Sequence, residues 1–178
     1  MEIINGQRIA SDIAEIDFVN FNHINPEALI SVLNEKGVRK HLIDHETFTS
    51  VSIRKWMDEK IEIESLEGCR IRAVLIDGNL AGWCGIQPDK NGFELAIVIS
   101  QKFWGFGIPI FKTLILWAKE LGHKEVLFHL LNSRPEYKAL KKSSTKSNKT
   151  ELLGRCFTTY YFSVDRCENR VREKQNQT

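Results

Sequence analysis

The sequence predicts one α/β (α+β) domain built on a mixed, mostly antiparallel sheet flanked by helices. Three observations carry that expectation. A chain of 178 residues is the size of one domain and can bury a core without a disulfide or metal staple. Strand-like and helix-like stretches alternate along it in the order β α α β β β α β α β. Residues 70–100 read as a three-stranded antiparallel meander, and a helix and another apolar strand then follow, which makes a βαβ crossover.

The elements follow in chain order. Glu15-Ile16-Asp17-Phe18-Val19 alternates as a half-buried strand does. Asn25-Pro26 opens a helix, since Asn25 can cap it and Pro26 suits the first helical position. A second helix spans Phe48 to Glu64, with Val51, Ile53, Trp56, Met57 and Ile61 as its apolar stripe. Strands Arg70–Ile76 and Leu80–Ile86 flank the turn Asp77-Gly78-Asn79. After Asn91-Gly92 comes the apolar strand Phe93–Ser100. The helix Pro109–Leu121 carries Phe111, Leu114, Ile115, Ala118 and Leu121 at i, i+3, i+4 spacing, and Gly122 ends it. Glu125–Leu131 is the crossover's second strand, Pro135–Lys142 a short helix, and Cys156–Val164 a last strand. The polar run Ser143–Lys149 reads as a mobile loop. The expected domain is therefore 1–165, with a polar, frayed tail over 166–178.

Composition excludes several classes. Hydrophobic residues make up 42% and charged residues 27%, which is globular rather than disordered. No apolar run reaches the length of about 18 residues that spans a bilayer, and Met1–Gly6 lacks the basic start and apolar core of a signal peptide. The expectation is a cytoplasmic protein with no membrane partner. Cys69, Cys84, Cys156 and Cys167 form no CxxC and read as reduced thiols. His41 and His45, one helical turn apart, are the nearest approach to a ligand pair, and no metal site is expected. Net charge is +2, but residues 133–178 hold 11 of the 25 basic side chains and 5 of the 23 acidic ones.

The segment with most chemical content is Gln101-Lys102-Phe103-Trp104-Gly105-Phe106-Gly107-Ile108-Pro109, between an apolar strand and an amphipathic helix. A helix N-terminus offers spare N–H groups and partial positive charge to phosphate, and glycine lets the backbone approach closely. There is no Gly-Lys-Ser/Thr of a nucleotide P-loop, and the third glycine of the dinucleotide fingerprint is missing. By itself the pattern fits a tight strand-to-helix turn equally well.

This stretch resembles the acyl-CoA pyrophosphate loop of the GNAT superfamily of N-acetyltransferases, whose pattern is Arg/Gln-x-x-Gly-x-Gly/Ala at the end of the fourth strand. Here Lys102 holds the first position, Gly105 and Gly107 the glycine positions, and Gln101 stands one place early. The order of elements from residue 14 to about 140 matches as well. Beyond residue 132 the resemblance fades: Asn132, Tyr137 and Lys141 are present, but the family's Lys-Leu-Gly-Phe ending is not.

The resemblance implies an acyl-CoA N-acyltransferase fold that moves an acetyl group from acetyl-CoA to an amine within a ternary complex. It implies that the amides of Trp104, Gly105, Phe106, Gly107 and Ile108 cradle the pyrophosphate, with Lys102 offering charge. It also implies that Ile97, Val98 and Ile99 line the pantetheine arm and that Asn132 binds its polar groups. Amine attack needs a base, and Glu94 is the sole carboxylate of its strand; it is either that base or an exposed glutamate at the strand's start. Tyr137 is the candidate proton donor to the departing thiolate, or an ordinary helix tyrosine, with Tyr160 and Tyr161 in reserve. His129 reads as a core histidine and Cys84 as a small core residue. Nucleic acid is not an expected partner, and a homodimer is left open. The competing reading is a non-catalytic module of the same fold that acts through its basic C-terminal third.

Overall fold

A computed structural model describes residues 14–42 and 44–175. Its elements run β1 (Ile16–Val19), α1 (Pro26–Leu33), α2 (Lys36–Arg39), α3 (Ser50–Glu64), β2 (Arg70–Ile76), β3 (Asn79–Asp89), β4 (Gly92–Ile99), α4 (Gly107–Glu120), β5 (Glu125–Leu131), α5 (Lys138–Ser143), β6 (Lys146–Leu152), β7 (Arg155–Ser163) and α6 (Val164–Gln175). Short 3-10 turns, Phe21–His23 and Gln101–Phe106, precede α1 and α4.

The seven strands form one sheet in the order β1-β2-β3-β4-β5-β7-β6. Every neighbouring pair is antiparallel except β4 and β5, which the α4 crossover makes parallel. The meander and the βαβ unit are thus as the sequence predicts.

Strand alternation sends consecutive residues to opposite faces. Leu95 and Ile99 of β4 join Ile110, Phe111, Leu114, Ile115 and Ala118 of α4 in one core. Ala96 and Val98 pack with Leu29, Leu33, Ile53 and Met57 of α1 and α3 in the other. Burying a side chain such as Leu114 contributes about 1.5–3 kcal/mol, so both helical layers are tied firmly to β4. The starts of α1 and α3 are fixed locally: the Asn25 side chain accepts from the Glu27 amide, and Thr49 and Ser52 form a reciprocal capping box.

Gly82 is the tightest point of the sheet. Its φ is +154°, and a Cβ there would lie 2.0 Å from the Val98 carbonyl oxygen and 2.8 Å from Ile99 Cα. Only glycine lets β3 approach β4 this closely, just before the segment that leads into α4.

Two expectations for the C-terminal third are corrected. The expected loop over 143–149 is instead the end of α5 followed by strand β6, which pairs with β7 from Lys146↔Tyr161 to Leu152↔Arg155. Its outer edge has no strand partner among the described residues, and Lys146 and Lys149 suit such an edge because charge discourages further pairing. The expected frayed tail is helical from Val164 to Gln175, and Val164 and Cys167 are buried in the core beside α4. The first 13 residues of the expected domain and the last three of the tail lie outside the described residues. No helix among the described residues is long and apolar enough to cross a membrane.

Candidate active site

β4 and β5 are in register at a single pair, Glu94↔Leu127. Past it, towards their C-terminal ends, a slot of about 130 Å³ opens on the α4 side, lined by Ile97 and Ile99 from β4 and Phe128 and Leu130 from β5. Trp104, Gly105, Gly107 and Ile108 line the slot beside the start of α4, and Arg134 and Tyr137 line it as well. A cavity of about 460 Å³ lies on the α1/α3 side and shares Ile97, Ile99, Phe128, Leu130 and Arg134 with the slot. The same residues at the gap between the two strands therefore border both chambers.

The slot's end is built by α4, which begins at Gly107 with Phe106 at its N-cap and no capping side chain. Its first-turn amides are left for a ligand or water. Pro109 sits in that turn, where a missing N–H costs nothing. A Cβ at Gly105 or Gly107 would meet nothing within 4 Å, so both glycines border open space. The preceding turn is clamped from the α1–α2 junction: Glu35 accepts from the Ser100 hydroxyl at 2.7 Å and the Gln101 amide at 3.0 Å. Trp104 is fixed by its indole N–H, which donates to the Ile99 carbonyl at 3.2 Å, and the Arg134 guanidinium lies 5.3 Å from its ring centre. An apolar slot leading to an uncapped helix start with a nearby cation fits an apolar arm that ends in an anionic group.

The larger chamber has an aromatic wall and an acidic floor. Phe48, Trp56 and Trp83 meet edge to face in series, with centroids 5.8 and 5.5 Å apart. Lys60 Nζ sits 4.6 Å from the Trp83 ring and donates to Gln87 Oε1 at 2.6 Å. Gln87 in turn donates to Glu94 Oε2 at 3.2 Å. Glu94 lines the chamber on a strand flanked by β3 and β5, so it is not an exposed strand-end glutamate. Desolvation by its apolar surroundings raises its pKa, opposed by the Gln87 hydrogen bond. Burial likewise lowers the pKa of Lys60.

Asp89 and His129 complete the floor. The imidazole bonds Asp89 Oδ2 through Nε2 at 3.0 Å and Thr159 Oγ1 through Nδ1 at 2.7 Å. Burial alone would raise the Asp89 carboxyl, but the bonds from His129 and the Asn91 amide hold it below its ordinary value. Asp89, Glu94 and His129 bring donor atoms within 4.8 Å of one another, the arrangement a metal ion would require. Both ring nitrogens already have protein partners, so the group stands as a hydrogen-bonded cluster. His41 and His45 diverge: one faces Ser133 and Trp104, the other the Glu46 carbonyl.

The anticipated residues divide between the chambers. Ile97, Ile99, Trp104, Gly105, Gly107, Ile108 and Tyr137 line the slot. Val98 points the other way and lines the larger chamber, because three consecutive strand residues cannot share a face. Lys102 is exposed, its ammonium 5.1 Å from the Phe103 ring, and Phe106 packs inward near the same ring. Asn132 lines a separate polar pocket, where its carbonyl accepts from Lys149 and Thr158. Tyr137 precedes α5 as its N-cap rather than lying within a helix. Tyr160 is buried in the core and Tyr161 lies under Lys146. Cys84 is fully buried, and burial pushes its thiol far up, so it is no nucleophile. Sequence reasoning missed Asp89, Lys60, Gln87 and Arg134, whose partners stand many residues away in the chain.

No protein-family model matches the chain, and no curated protein matches its sequence. Solved structures do match. One assigned to the GNAT acetyltransferases from Chromobacterium violaceum aligns with TM-score 0.62 at 11% identity, over 80% of this chain and 86% of that one. One assigned as an acetyltransferase from T. thermophilus aligns with TM-score 0.64 at 17% identity, over 89% and 93%. YncA from Salmonella typhimurium, assigned as an acetyltransferase and solved with its cofactor acetyl-CoA, aligns with TM-score 0.57 at 12% identity, over 86% and 95%. Identities this low speak for architecture alone, and on that architecture the chain has the GNAT acyl-CoA N-acyltransferase fold.

Proposed function

We propose that this protein is an N-acetyltransferase that moves an acetyl group from acetyl-CoA to an amine by direct transfer. The observation that carries the reading is the pair of chambers that share a border at the gap between β4 and β5. One ends at the uncapped start of α4, and the other holds a desolvated carboxylate. The match to a structure solved with acetyl-CoA supports the donor.

Acetyl-CoA supplies an activated thioester carbonyl. The α4 amides and Arg134 hold its phosphates, and Ile97, Ile99, Phe128 and Leu130 exclude water from its arm. Glu94 takes a proton from the acceptor amine, whose nitrogen forms the new C–N bond as the C–S bond breaks. Tyr137 gives its proton to the departing sulfur. The aromatic wall of Phe48, Trp56 and Trp83 receives the acceptor's apolar part.

The basic third is less suited to act as a separate charged face. Arg155 bonds Asp44 and the Leu42 carbonyl, Lys141 pairs with Glu136, Lys146 lies 4.0 Å from Glu125, and Arg170 donates to the Lys142 carbonyl.

Calorimetric titration with acetyl-CoA tests the donor site. The Gly107→Trp variant has room to fold, because its Cβ meets nothing, yet its indole would fill the slot's end. The expected result is binding by the wild type that is lost in the variant. Equal binding by both, or none by either at millimolar cofactor, would refute the assignment.

A further inference from the structure

His129 has a side chain only 5% exposed, and both of its nitrogens are bonded. Thr159 is fully buried and donates its hydroxyl proton to Thr150 Oγ1 at 2.8 Å. With its one proton directed at Thr150, the Thr159 oxygen faces His129 as an acceptor, which assigns the hydrogen to Nδ1. Asp89, ionised, can only accept, so Nε2 must carry one as well. A ring protonated at both nitrogens is an imidazolium.

We propose that His129 is a fixed counter-charge for the site: locked as an imidazolium between Asp89 and Thr159, it is the positioning residue that keeps Glu94 ionised and available as a base. The inference rests on the reading of Glu94 given above and concerns how that base is maintained. Two carboxylates this close, on a largely buried floor, would share a proton, and a protonated Glu94 could not accept one from an amine. One positive charge beside the two negative ones removes that conflict. The other charged or polar groups facing Glu94 are Lys60 from α3 and Gln87 from β3. Lys60 reaches it through Gln87 and is held over the Trp83 ring, whereas His129 bonds Asp89 directly. The Thr159–Thr150 link carries the support outward to β6, which gives the otherwise polar edge strand a task at the site.

Side-chain NMR tests this without needing the acceptor. The ¹⁵N spectrum of the wild type at neutral pH should show both His129 nitrogens protonated. ¹³C titration of the Glu94 carboxyl should move in opposite directions in two variants: up by about one pH unit in His129→Gln and down by a similar amount in Asp89→Asn. Once an acceptor is found, the acid limb of kcat/KM should move with them. Thr159→Val should weaken the imidazolium signature and Thr159→Ser restore it. A neutral ring at pH 7, or a Glu94 midpoint that both variants leave in place, overturns the proposal. Because the wild-type spectrum and Asp89→Asn stand on their own, misfolding of His129→Gln would not spare it. Absence of acyl transfer with an intact imidazolium would instead refute the proposed function and leave this arrangement standing.

Discussion

Replacing Gly82 with alanine should be among the most damaging single-methyl changes in the chain. The new Cβ would stand 2.0 Å from the Val98 carbonyl oxygen and 2.8 Å from Ile99 Cα, both backbone atoms that cannot rotate away. Overpacking of this kind costs about 1–3 kcal/mol, and an L-residue at positive φ adds about 1–2 kcal/mol. The expected loss is therefore about 2–5 kcal/mol. Gly78→Ala separates the two contributions: its φ is +74°, and its Cβ would meet nothing within 4 Å. It should lose only the conformational part, about 1 kcal/mol. With a urea m-value of about 2 kcal/mol/M, the midpoint should fall by about 1–2.5 M for Gly82→Ala and about 0.5 M for Gly78→Ala. Gly82 pairs with Ile99, and the neighbouring Ala81 carbonyl accepts from the Ser100 amide, so strain there also reaches the slot. Any Gly82→Ala protein that folds should bind acetyl-CoA more weakly, while Gly78→Ala should bind it normally. Equal midpoint shifts for the two variants would refute the steric argument.

Three further outcomes follow from the same geometry. Glu35→Ala removes both bonds that clamp Ser100 and Gln101 and should weaken acetyl-CoA binding about 5- to 30-fold by calorimetry, the equivalent of about 1–2 kcal/mol. Tyr137→Phe keeps the slot's shape and should lower kcat about 10- to 100-fold with little change in KM; an unchanged kcat would remove Tyr137 from the chemistry. Glu94→Gln should stabilise the fold at neutral pH. Desolvation raises the folded-state pKa of Glu94, so its contribution to stability is full below the unfolded value and is lost as pH rises through the folded one. The variant's advantage in thermal melting should thus be clear at pH 7 and shrink towards pH 4.

The scaffold around the cofactor slot was legible because its signals are local. Asp77-Gly78 marks the first hairpin, the apolar run of β4 needs burial on both faces, and α4 carries a clean helical stripe. The region after Leu131 was harder to read for physical reasons. Strand β6 is a sheet edge whose residues are mostly exposed, so it has no apolar alternation to betray it. Helix α6 is strongly polar, and Val164 and Cys167 are the core members among its described side chains. Glu94 could be picked out as the one carboxylate of its strand. The groups that govern it could not, since Asp89 and Thr159 meet His129 across 40 and 30 residues of chain. The run of basic residues past Arg134 proved divided between paired cations, an edge strand and a docked helix, which is why its charge alone pointed to no partner.

The most direct test of the account is CoA release from acetyl-CoA over a panel of amino acids, polyamines, aminoglycosides and peptides, run on wild type beside Glu94→Gln. The account predicts release with at least one amine and a fall of about 100- to 10,000-fold in kcat/KM for the variant, with acetyl-CoA affinity unchanged. Release that Glu94→Gln leaves intact, or none with any amine despite cofactor binding, would contradict it.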